Sequence, residues 1–178
     1  MNDGAIYPAD VMPNKSSIAD DASVIPMDRR ITYQCLLIST RISQLIAPML
    51  EEKYGLSVPT WRVMAVIGRY GPLSAKEVAG YTSTDAFFVS RGISHLRKHQ
   101  LITKHADPAD RRRVVLQLTK KGESIRDDVE RVISRVETAI LGALGEAERE
   151  ALKTNLSDLA YKALGMVEPP VTWRDFTD

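Results

Sequence analysis

Cysteine is almost absent from the sequence, since Cys35 is the only one in 178 residues. An internal disulfide framework and a zinc site built from cysteines are therefore both excluded. Long apolar runs are absent as well, because none approaches the roughly 18 residues that a membrane-spanning helix needs. The first ten residues, MNDGAIYPAD, have neither the basic start nor the apolar core of a signal peptide. We therefore expect a cytoplasmic protein with no membrane partner.

Motifs that carry enzyme chemistry are also absent. The sequence has no Gly-rich phosphate loop, no nucleophile motif and no cluster of histidines at metal-ligand spacing. His95 and His99 stand four residues apart, but the sequence places no further ligand beside them. We expect both to be groups on a helix surface, and we expect the protein to have no catalytic activity, no metal and no cofactor.

Positive charge is concentrated in one window of the chain. The net charge of the whole chain is only +1, yet residues 85–121 hold nine Lys or Arg against three Asp. All three histidines lie in the same window. A near-neutral protein with this distribution has the electrostatic footprint of a polyanion-binding protein. The alternative is an ordinary solvated face, and the agreement of charge with the helix and turn signals below argues against it.

The window begins with helical spacing. One face is small or apolar and can pack, and it consists of Val89, Gly92, Ile93 and Leu96. The opposite face would point outward, and it consists of Phe87, Arg91, Ser94 and Lys98. Two β-type runs, LITKHA and RVVLQL, then flank a turn in which Pro108 presets the second position. A helix followed by a hairpin with arginines just past its tip is the layout of a winged helix.

Two helices and a short third helix are predicted before this window. Asp28 can cap a long amphipathic helix in which Pro48 should produce a kink or end the regular part, and Gly55 closes it. Its apolar stripe consists of Ile31, Cys35, Ile38, Ile42, Leu45 and Met49. The second helix starts near Ser57 and Pro59. Its buried stripe consists of Val63, Val66, Ile67 and Tyr70.

The short third helix opens with a capping box. Ser74 stands at the cap and Glu77 three residues on, and the helix should end near Thr82. Ser83 or Thr84 then caps the basic helix. A short helix, a turn and a second helix with a basic outer face predict a helix-turn-helix.

After the hairpin, Thr119 can cap a long charged helix, and a last helix should run from Glu146 to Leu164. A winged helix of about 65 residues completes its own core, so the apolar stripes of the outer helices predict a two-fold homodimer. The alternative is a monomer in which these helices pack only on each other. The predicted fold is mainly α, a winged helix-turn-helix with a two-stranded β wing, whose N- and C-terminal helices form a dimerisation domain. The boundaries are a flexible N-terminal tail at 1–27, a dimerisation helix at 28–56, a winged helix-turn-helix DNA-binding domain at 57–119, dimerisation helices at 120–164 and a C-terminal tail at 165–178.

The chain resembles the MarR family of bacterial transcriptional regulators from about residue 30 to 162. The matching stretches are GLSVPTWRVMAVI, the helix-turn-helix and DPADRRRVVLQLTKKG. The last corresponds to the wing signature of the family, here Asp110, Arg111, Arg112, Thr119 and Gly122. The resemblance implies a triangular homodimer on a pseudo-palindromic double-stranded DNA operator, with recognition helices in adjacent major grooves. It also implies a repressor that a small, often aromatic, ligand releases.

Residue chemistry and this resemblance together give the expected DNA-binding residues. They are Ser74, Ser83, Thr84, Phe87, Phe88, Arg91, Ser94, Lys98, Asp110, Arg111, Arg112 and Arg113. Arg91 and Lys98 can reach phosphates or guanine edges. We expect Asp110 to hold Arg112 through a carboxylate–guanidinium pair, so that Arg111 or Arg112 enters a narrow minor groove. Family members usually have small polar residues where this chain has two phenylalanines, which either pack internally or contact thymine methyl groups.

Candidates for a small-molecule effector site are Arg41, Trp61 and Arg62, with Tyr33, Ser39 and His95 as further wall residues. A cation beside an aromatic ring suits an aromatic carboxylate or an acyl-CoA phosphate. The alternative is that Trp61 belongs to the core and both arginines are solvated. Two other functions stay open, redox sensing by Cys35 and a winged-helix module that only contacts proteins. Cys35 falls on an apolar stripe, where a lone cysteine is more often a small core residue.

Overall fold

The computed structural model describes residues 24–82, 84–166, 172 and 175. Most of the two predicted tails therefore lies outside the described residues. The chain divides into two compact units, Met1–Glu130 and Arg131–Asp178. In chain order the elements are α1 Ile31–Tyr54, α2 Val58–Tyr70, α3 Ala75–Thr82, α4 Ala86–Lys98, β1 Ile102–Ala106, β2 Val114–Leu118, α5 Lys120–Ile140 and α6 Glu146–Gly165. This order confirms the predicted mainly helical fold with a two-stranded wing.

The first helix differs from the prediction at both its start and its proline. Asp28 does not cap it, because Met27–Arg29 forms a 3-10 turn and the residue before α1 is Arg30, which makes no side-chain cap. Pro48 lies inside α1, and the helix continues to Tyr54. Burial of Leu50 just beyond the proline holds the last turns in place despite the missing backbone hydrogen bond. Gly55 ends α1 with a φ of 64°, as the sequence predicts.

The helix-turn-helix is built from local caps. Ser57 accepts the Thr60 amide at 3.4 Å and starts α2. At the start of α3 the predicted capping box is present, since the Ser74 amide donates to Glu77 at 2.8 Å and the Glu77 amide donates to Ser74 Oγ at 3.3 Å. The predicted cap of α4 is wrong. Asp85 lies immediately before the helix and accepts the Phe87 amide at 2.7 Å.

The two residues expected to cap α4 have other positions. The Thr84 hydroxyl donates to the Thr82 carbonyl at 3.0 Å. Ser83 lies outside the described residues.

The core of the first unit lies between α2 and α4. On α2 the buried side chains include Trp61, Met64 and Ile67, and on α4 they include Val89 and Leu96. Gly92 lets the two helices approach closely, because a Cβ at this position would lie 3.1 Å from Val63 Cγ2. The buried face predicted for α4 is therefore confirmed.

The stripe predicted for α2 is only partly correct. Val66 is half-buried, and Tyr70 is 51% exposed. Tyr70 is the last residue of α2, where the chain leaves the core, and its ring stacks on that of Tyr81 with centroids 4.5 Å apart. Stacking covers one face of each ring while the surfaces around it stay in water.

The wing is an antiparallel hairpin whose pairing runs from Ile102 opposite Leu118 to Ala106 opposite Val114. Leu73 adds one bridge at the outer edge of the hairpin, where the Leu116 amide donates to its carbonyl at 2.8 Å. The predicted turn is present, and Asp107 Oδ1 accepts the Ala109 amide at 2.9 Å. The hairpin is thus tied to the loop between α2 and α3.

The start of α5 is fixed against the base of the hairpin. Thr119 Oγ1 accepts the Gly122 amide at 3.1 Å, which confirms the predicted cap. Only glycine fits at position 122 without movement, because a Cβ there would overlap the Leu101 carbonyl oxygen. Further along α5, the Tyr54 hydroxyl donates to Asp128 at 3.1 Å and joins the end of α1 to this helix.

The outer helices expose the apolar stripes that the sequence predicts. On α1, the exposed fractions are 59% for Ile31, 52% for Ile38 and 63% for Leu45. In the second unit, no residue of α6 is buried, and Leu156 and Leu159 are 41% and 46% exposed. None of the described helices combines the length and apolar composition needed to cross a lipid bilayer.

Candidate nucleic-acid interface

The outer face of α4 is continuous and solvent-exposed. Arg91, Ser94 and Lys98 are all exposed, and the opposite face of the same helix is buried through Val89 and Leu96. The core therefore fixes the rotation of α4 about its axis, and this rotation turns the two basic side chains outward. A helix with one basic exposed face is suited to contact a polyanion along its length.

Two phenyl rings lie at the N-terminal end of the exposed face of α4. Phe87 and Phe88 are 61% and 54% exposed, so neither packs into the core. Their ring centroids lie 5.7 Å apart in an edge-to-face arrangement. The Arg91 guanidinium carbon lies 5.7 Å from the centroid of the Phe87 ring. This cation–π contact holds the basic group and the ring together on one face.

The tip of the wing carries two exposed arginines, Arg111 and Arg112. The expected carboxylate–guanidinium pair between Asp110 and Arg112 is wrong. Asp110 Oδ1 instead accepts the backbone amide of Arg112 at 2.9 Å, and the Asp110 carbonyl accepts the Arg113 amide at 2.8 Å. The short Asp side chain satisfies the turn backbone two residues on, which is the commoner use of aspartate in a tight turn.

The third arginine of the wing faces the protein. Arg113 Nη2 lies 2.6 Å and 2.5 Å from the two carboxylate oxygens of Glu77, and Nη1 lies 2.9 Å from Asp107 Oδ2. The Ser74 hydroxyl donates to the same Glu77 carboxylate at 2.7 Å. We call these four residues, Ser74, Glu77, Asp107 and Arg113, the wing clamp. It joins the start of α3 to the turn end of the hairpin.

The wing clamp changes the roles expected for two residues. Arg113, grouped with the DNA-contacting arginines, is engaged by two carboxylates, and the Ser74 hydroxyl is engaged by Glu77. Sequence reasoning missed Glu77 and Asp107 as partners of Arg113. The capping box is visible in the sequence, but the ion pair joins residues 36 positions apart. Only the fold brings them together.

The wing clamp is also an electrostatic unit. Hydrogen bonds from the Ser74 side chain and backbone, followed by that of the Arg113 guanidinium, lower the pKa of Glu77 from 4.5 to about 2. The hydrogen bond to Glu77 in turn raises the pKa of Arg113. Both groups therefore keep opposite charges throughout the physiological range.

The residues expected around an effector differ in burial. Trp61 is 4% exposed and belongs to the core, whereas the neighbouring Arg62 is exposed and donates to Ser43 Oγ at 3.2 Å. Arg41 is exposed and donates to the Gln44 side chain at 3.1 Å. Of the remaining candidates, Ser39 is exposed and Tyr33 is half-buried. The hydrogen bond between Arg62 and Ser43 joins α1 and α2 across this region.

The histidines and the cysteine also have defined environments. His95 is half-buried on α4, stacks on His99 with ring centroids 4.4 Å apart, and has a buried Nε2 with no hydrogen-bond partner among the described residues. Cys35 is exposed on α1, so the expectation that it fills a core position is wrong for the single chain. Its neighbours on the stripe, Ile31 and Ile38, are exposed as well.

The lowered pKa of Glu77 predicts a pH window for the wing clamp. A carboxylate whose pKa is lowered by folding stabilises the protein fully above about pH 4.5, and this contribution disappears as the pH falls towards about 2. Glu77→Gln should therefore lower the melting temperature by a few degrees near pH 7. The difference from wild type should shrink steadily below about pH 4.5. Thermal unfolding, monitored by circular dichroism at several pH values in this range, measures the difference in melting temperature.

Glu137→Gln is a matched control, because it removes an exposed carboxylate from α5 outside the wing clamp. Near pH 7 it should change the melting temperature much less than Glu77→Gln. Equal effects of the two substitutions, or a difference that grows as the pH falls, would contradict the assignment of the lowered pKa to Glu77.

Comparison with known proteins finds similarity to bacterial helix-turn-helix transcriptional regulators. Residues 54–113 match the model of the MarR family. NicR, a helix-turn-helix transcriptional repressor from Pseudomonas putida, is 28% identical over 83 residues, which is 47% of this chain and 52% of NicR. MgrA, a helix-turn-helix transcriptional regulator from Staphylococcus aureus, is 27% identical over 88 residues, 49% of this chain and 60% of MgrA. The matched part spans about half the length of these curated relatives.

The fold comparison extends over more of the chain. FabT from Streptococcus pneumoniae, crystallised in complex with DNA, superposes with a TM-score of 0.62 over 76% of this chain and 96% of FabT, at 22% identity. The segment matched by the family model runs from the end of α1 through α2, α3, α4 and β1 to the residue that closes the wing turn. This is the segment that contains the exposed basic face and the wing clamp. Over this segment the chain is similar to the MarR family.

Proposed function

We propose that this chain is a sequence-specific, DNA-binding transcriptional regulator that acts as a homodimer on a pseudo-palindromic operator. We further propose that it is a repressor and that a small molecule releases it from DNA. One observation carries the proposal. The basic outer face of α4 and the arginine-bearing wing tip are both exposed, and the core and the wing clamp hold them in one unit.

The proposed contacts divide by their chemistry. Arg91 and Lys98 contact guanine edges or phosphates in the major groove, and Ser94 between them donates to a phosphate. Arg111 and Arg112 contact the backbone or a narrow minor groove beside it. Their guanidinium groups are free to do so because Asp110 engages only the backbone of the turn.

The other residues expected at the interface have a positioning role in this proposal. Arg113 and Ser74 hold the wing through Glu77, and Asp110 shapes its turn. Thr84 and Ser83 precede α4, and phosphate contacts from them stay a prediction from the sequence. This division predicts that Arg113 affects DNA binding through the wing position and not through its own charge.

The relatives support the regulatory part of the proposal. NicR is named a transcriptional repressor, MgrA is named a transcriptional regulator, and FabT was crystallised with DNA. Residues 54–113, which match the MarR family model, include the whole helix-turn-helix. Release by a ligand rests on the family resemblance and on the arginine environments described below.

The homodimer is supported by the apolar stripes of α1 and α6. Leu45 on α1 and Leu156 on α6 are exposed by 63% and 41%, and further apolar side chains lie beside each of them at helical spacing. Exposed apolar stripes of this length favour association, because burying apolar surface removes it from water. A second copy of the same chain presents the same stripes, so a two-fold arrangement can cover all of them.

The dimer is tested by placing a charge in one stripe. Leu156→Glu should convert the dimer into a monomer, because it would bury an unpaired carboxylate in the proposed interface. Thr154→Glu is the matched control, since it adds the same charge to the opposite face of α6. Sedimentation velocity measures both. A wild-type monomer at micromolar concentration, or equal dissociation of both variants, would contradict the proposed interface.

DNA binding is tested by selecting operator sequences from a random pool and then measuring affinity against salt. Arg112→Ala should weaken binding to all sequences and lower the salt-dependence slope by about one for each phosphate that the arginine neutralises. Lys153→Ala is the matched control, because it removes the same charge from α6, where Lys153 pairs with Glu150. It should leave affinity and slope unchanged.

The same measurement separates the competing functions. Failure of the wild-type protein to enrich any sequence would contradict a sequence-specific regulator and would favour a protein-contact module. Binding that is equally tight for all sequences would leave only nonspecific electrostatic attraction. In that case the basic face would have no role in sequence recognition.

The proposed effector is a small anion, an aromatic carboxylate or an acyl-CoA. Arg41 and Arg62 donate to neutral oxygens of Gln44 and Ser43, so a carboxylate or phosphate can replace these partners with a stronger, charge-assisted bond. Titration of the operator complex with aromatic acids and CoA thioesters tests this. If one of these compounds releases the protein from DNA and Arg62→Gln abolishes that release, the result would support the site. Release by oxidation alone, abolished by Cys35→Ser, would favour redox sensing.

A further inference from the structure

The first turn of α4 carries an exposed apolar patch beside a basic helix face. Two of the three phenylalanines of the chain lie there, at positions 87 and 88, and each is more than half exposed. The most basic segment of the protein follows them in the sequence. Apolar rings at the leading end of a helix that otherwise presents Arg and Lys need a partner with an apolar feature of its own.

Phosphate is a poor partner for this turn. The amide of Phe87 donates to Asp85 Oδ1 at 2.7 Å. It is one of the donors that a helix N-terminus could otherwise offer to an anion. The Asp85 carboxylate also places negative charge where a phosphate would approach. The basic groups of this face, Arg91 and Lys98, begin one turn later. The first turn of α4 therefore favours an approach to bases over a phosphate bound at its Phe87 amide.

The position of Phe87 is set by its neighbours. Its ring and that of Phe88 form an edge-to-face pair with centroids 5.7 Å apart, and the Arg91 guanidinium carbon lies 5.7 Å from the centroid of the Phe87 ring. Phe87 and Arg91 are four residues apart, a separation of about 6 Å along the helix axis. Base pairs follow one another every 3.4 Å or so, which places the two side chains about one or two base pairs apart.

The major groove offers one apolar group, the 5-methyl group of thymine. We infer that Phe87 reads a thymine methyl group in the operator, one or two base pairs from a guanine that Arg91 reads. This inference rests on the proposed DNA-binding function. Phe88 supports the ring of Phe87 by its edge contact and does not itself read the base.

The experiment removes the methyl group and nothing else. In the selected operator, each thymine of a half-site is replaced in turn by deoxyuridine, which keeps every hydrogen-bonding group. At one thymine near the contacted guanine, the replacement should lower the affinity of the wild type by about fourfold per half-site. This is the usual effect of losing the burial of one methyl group. Phe87→Ala should bind the thymine operator more weakly and should bind both operators equally.

Phe88→Ala is the matched control, since it removes the same ring from the adjacent position. It should keep the preference for thymine over deoxyuridine. Phe87→Leu retains apolar surface and should keep part of the preference, whereas Phe87→Asn should lose it. Because the Phe87 ring is exposed, we expect all of these variants to fold, with melting temperatures close to that of the wild type.

A second substitution tests the methyl group in another base pair. The thymine position is changed to cytosine or to 5-methylcytosine, and only the methylated form should regain affinity for the wild type. Phe87→Ala should not distinguish the two. Both arms measure the same contact and must agree for the inference to stand.

The outcomes are distinguishable from failure of the proposed function. Wild-type binding to a selected operator with no deoxyuridine effect at any thymine would overturn the inference and leave the regulator intact. Loss of the preference in Phe88→Ala but not in Phe87→Ala would overturn the assignment to Phe87. Absence of any sequence-selective binding would instead contradict the proposed function itself.

Discussion

The carboxylate of Glu77 is the group on which the geometry of the candidate interface depends. It accepts hydrogen bonds from the Ser74 amide and hydroxyl, which caps α3, and it binds the guanidinium of Arg113, which fixes the hairpin. The only other tie described between the hairpin and the loop before α3 is the bridge from Leu73 to Leu116. The Glu77 carboxylate is therefore a side-chain tie that, together with this backbone bridge, holds the wing against the helix-turn-helix. Its lowered pKa keeps it charged for both tasks.

Three consecutive arginines consequently have two different functions in the proposed mechanism. Arg113 is neutralised by two carboxylates where the turn meets β2, while Arg111 and Arg112 stay exposed at the tip. A similar division holds on α4, where Asp85 engages the first-turn amide and the basic side chains follow one turn later. Acidic residues thus order this basic surface. Fixing the surface in advance reduces the entropy lost when DNA binds.

Patterns within one element could be predicted from the sequence, and pairings between elements could not. The buried face of α4, the capping box at Ser74 and the turn at Asp107 follow from helical spacing and side-chain reach, which act over a few residues. The partners of Arg113 lie on another element, and sequence spacing says nothing about which carboxylate the fold brings near. The cap of α4 failed for a local reason, because three adjacent residues can all serve as caps and the helix begins directly after the last of them, Asp85.

A double-mutant cycle on Glu77 and Arg113, read as operator affinity, tests the central claim most directly. If the wing clamp positions the wing, Glu77→Gln and Arg113→Gln should each weaken binding, and the double variant should be no weaker than the worse single variant. The salt-dependence slope should stay unchanged in all three. If Arg113 contacts phosphate itself, its substitution will lower affinity equally in both backgrounds and reduce the slope by about one. That result would contradict the clamp.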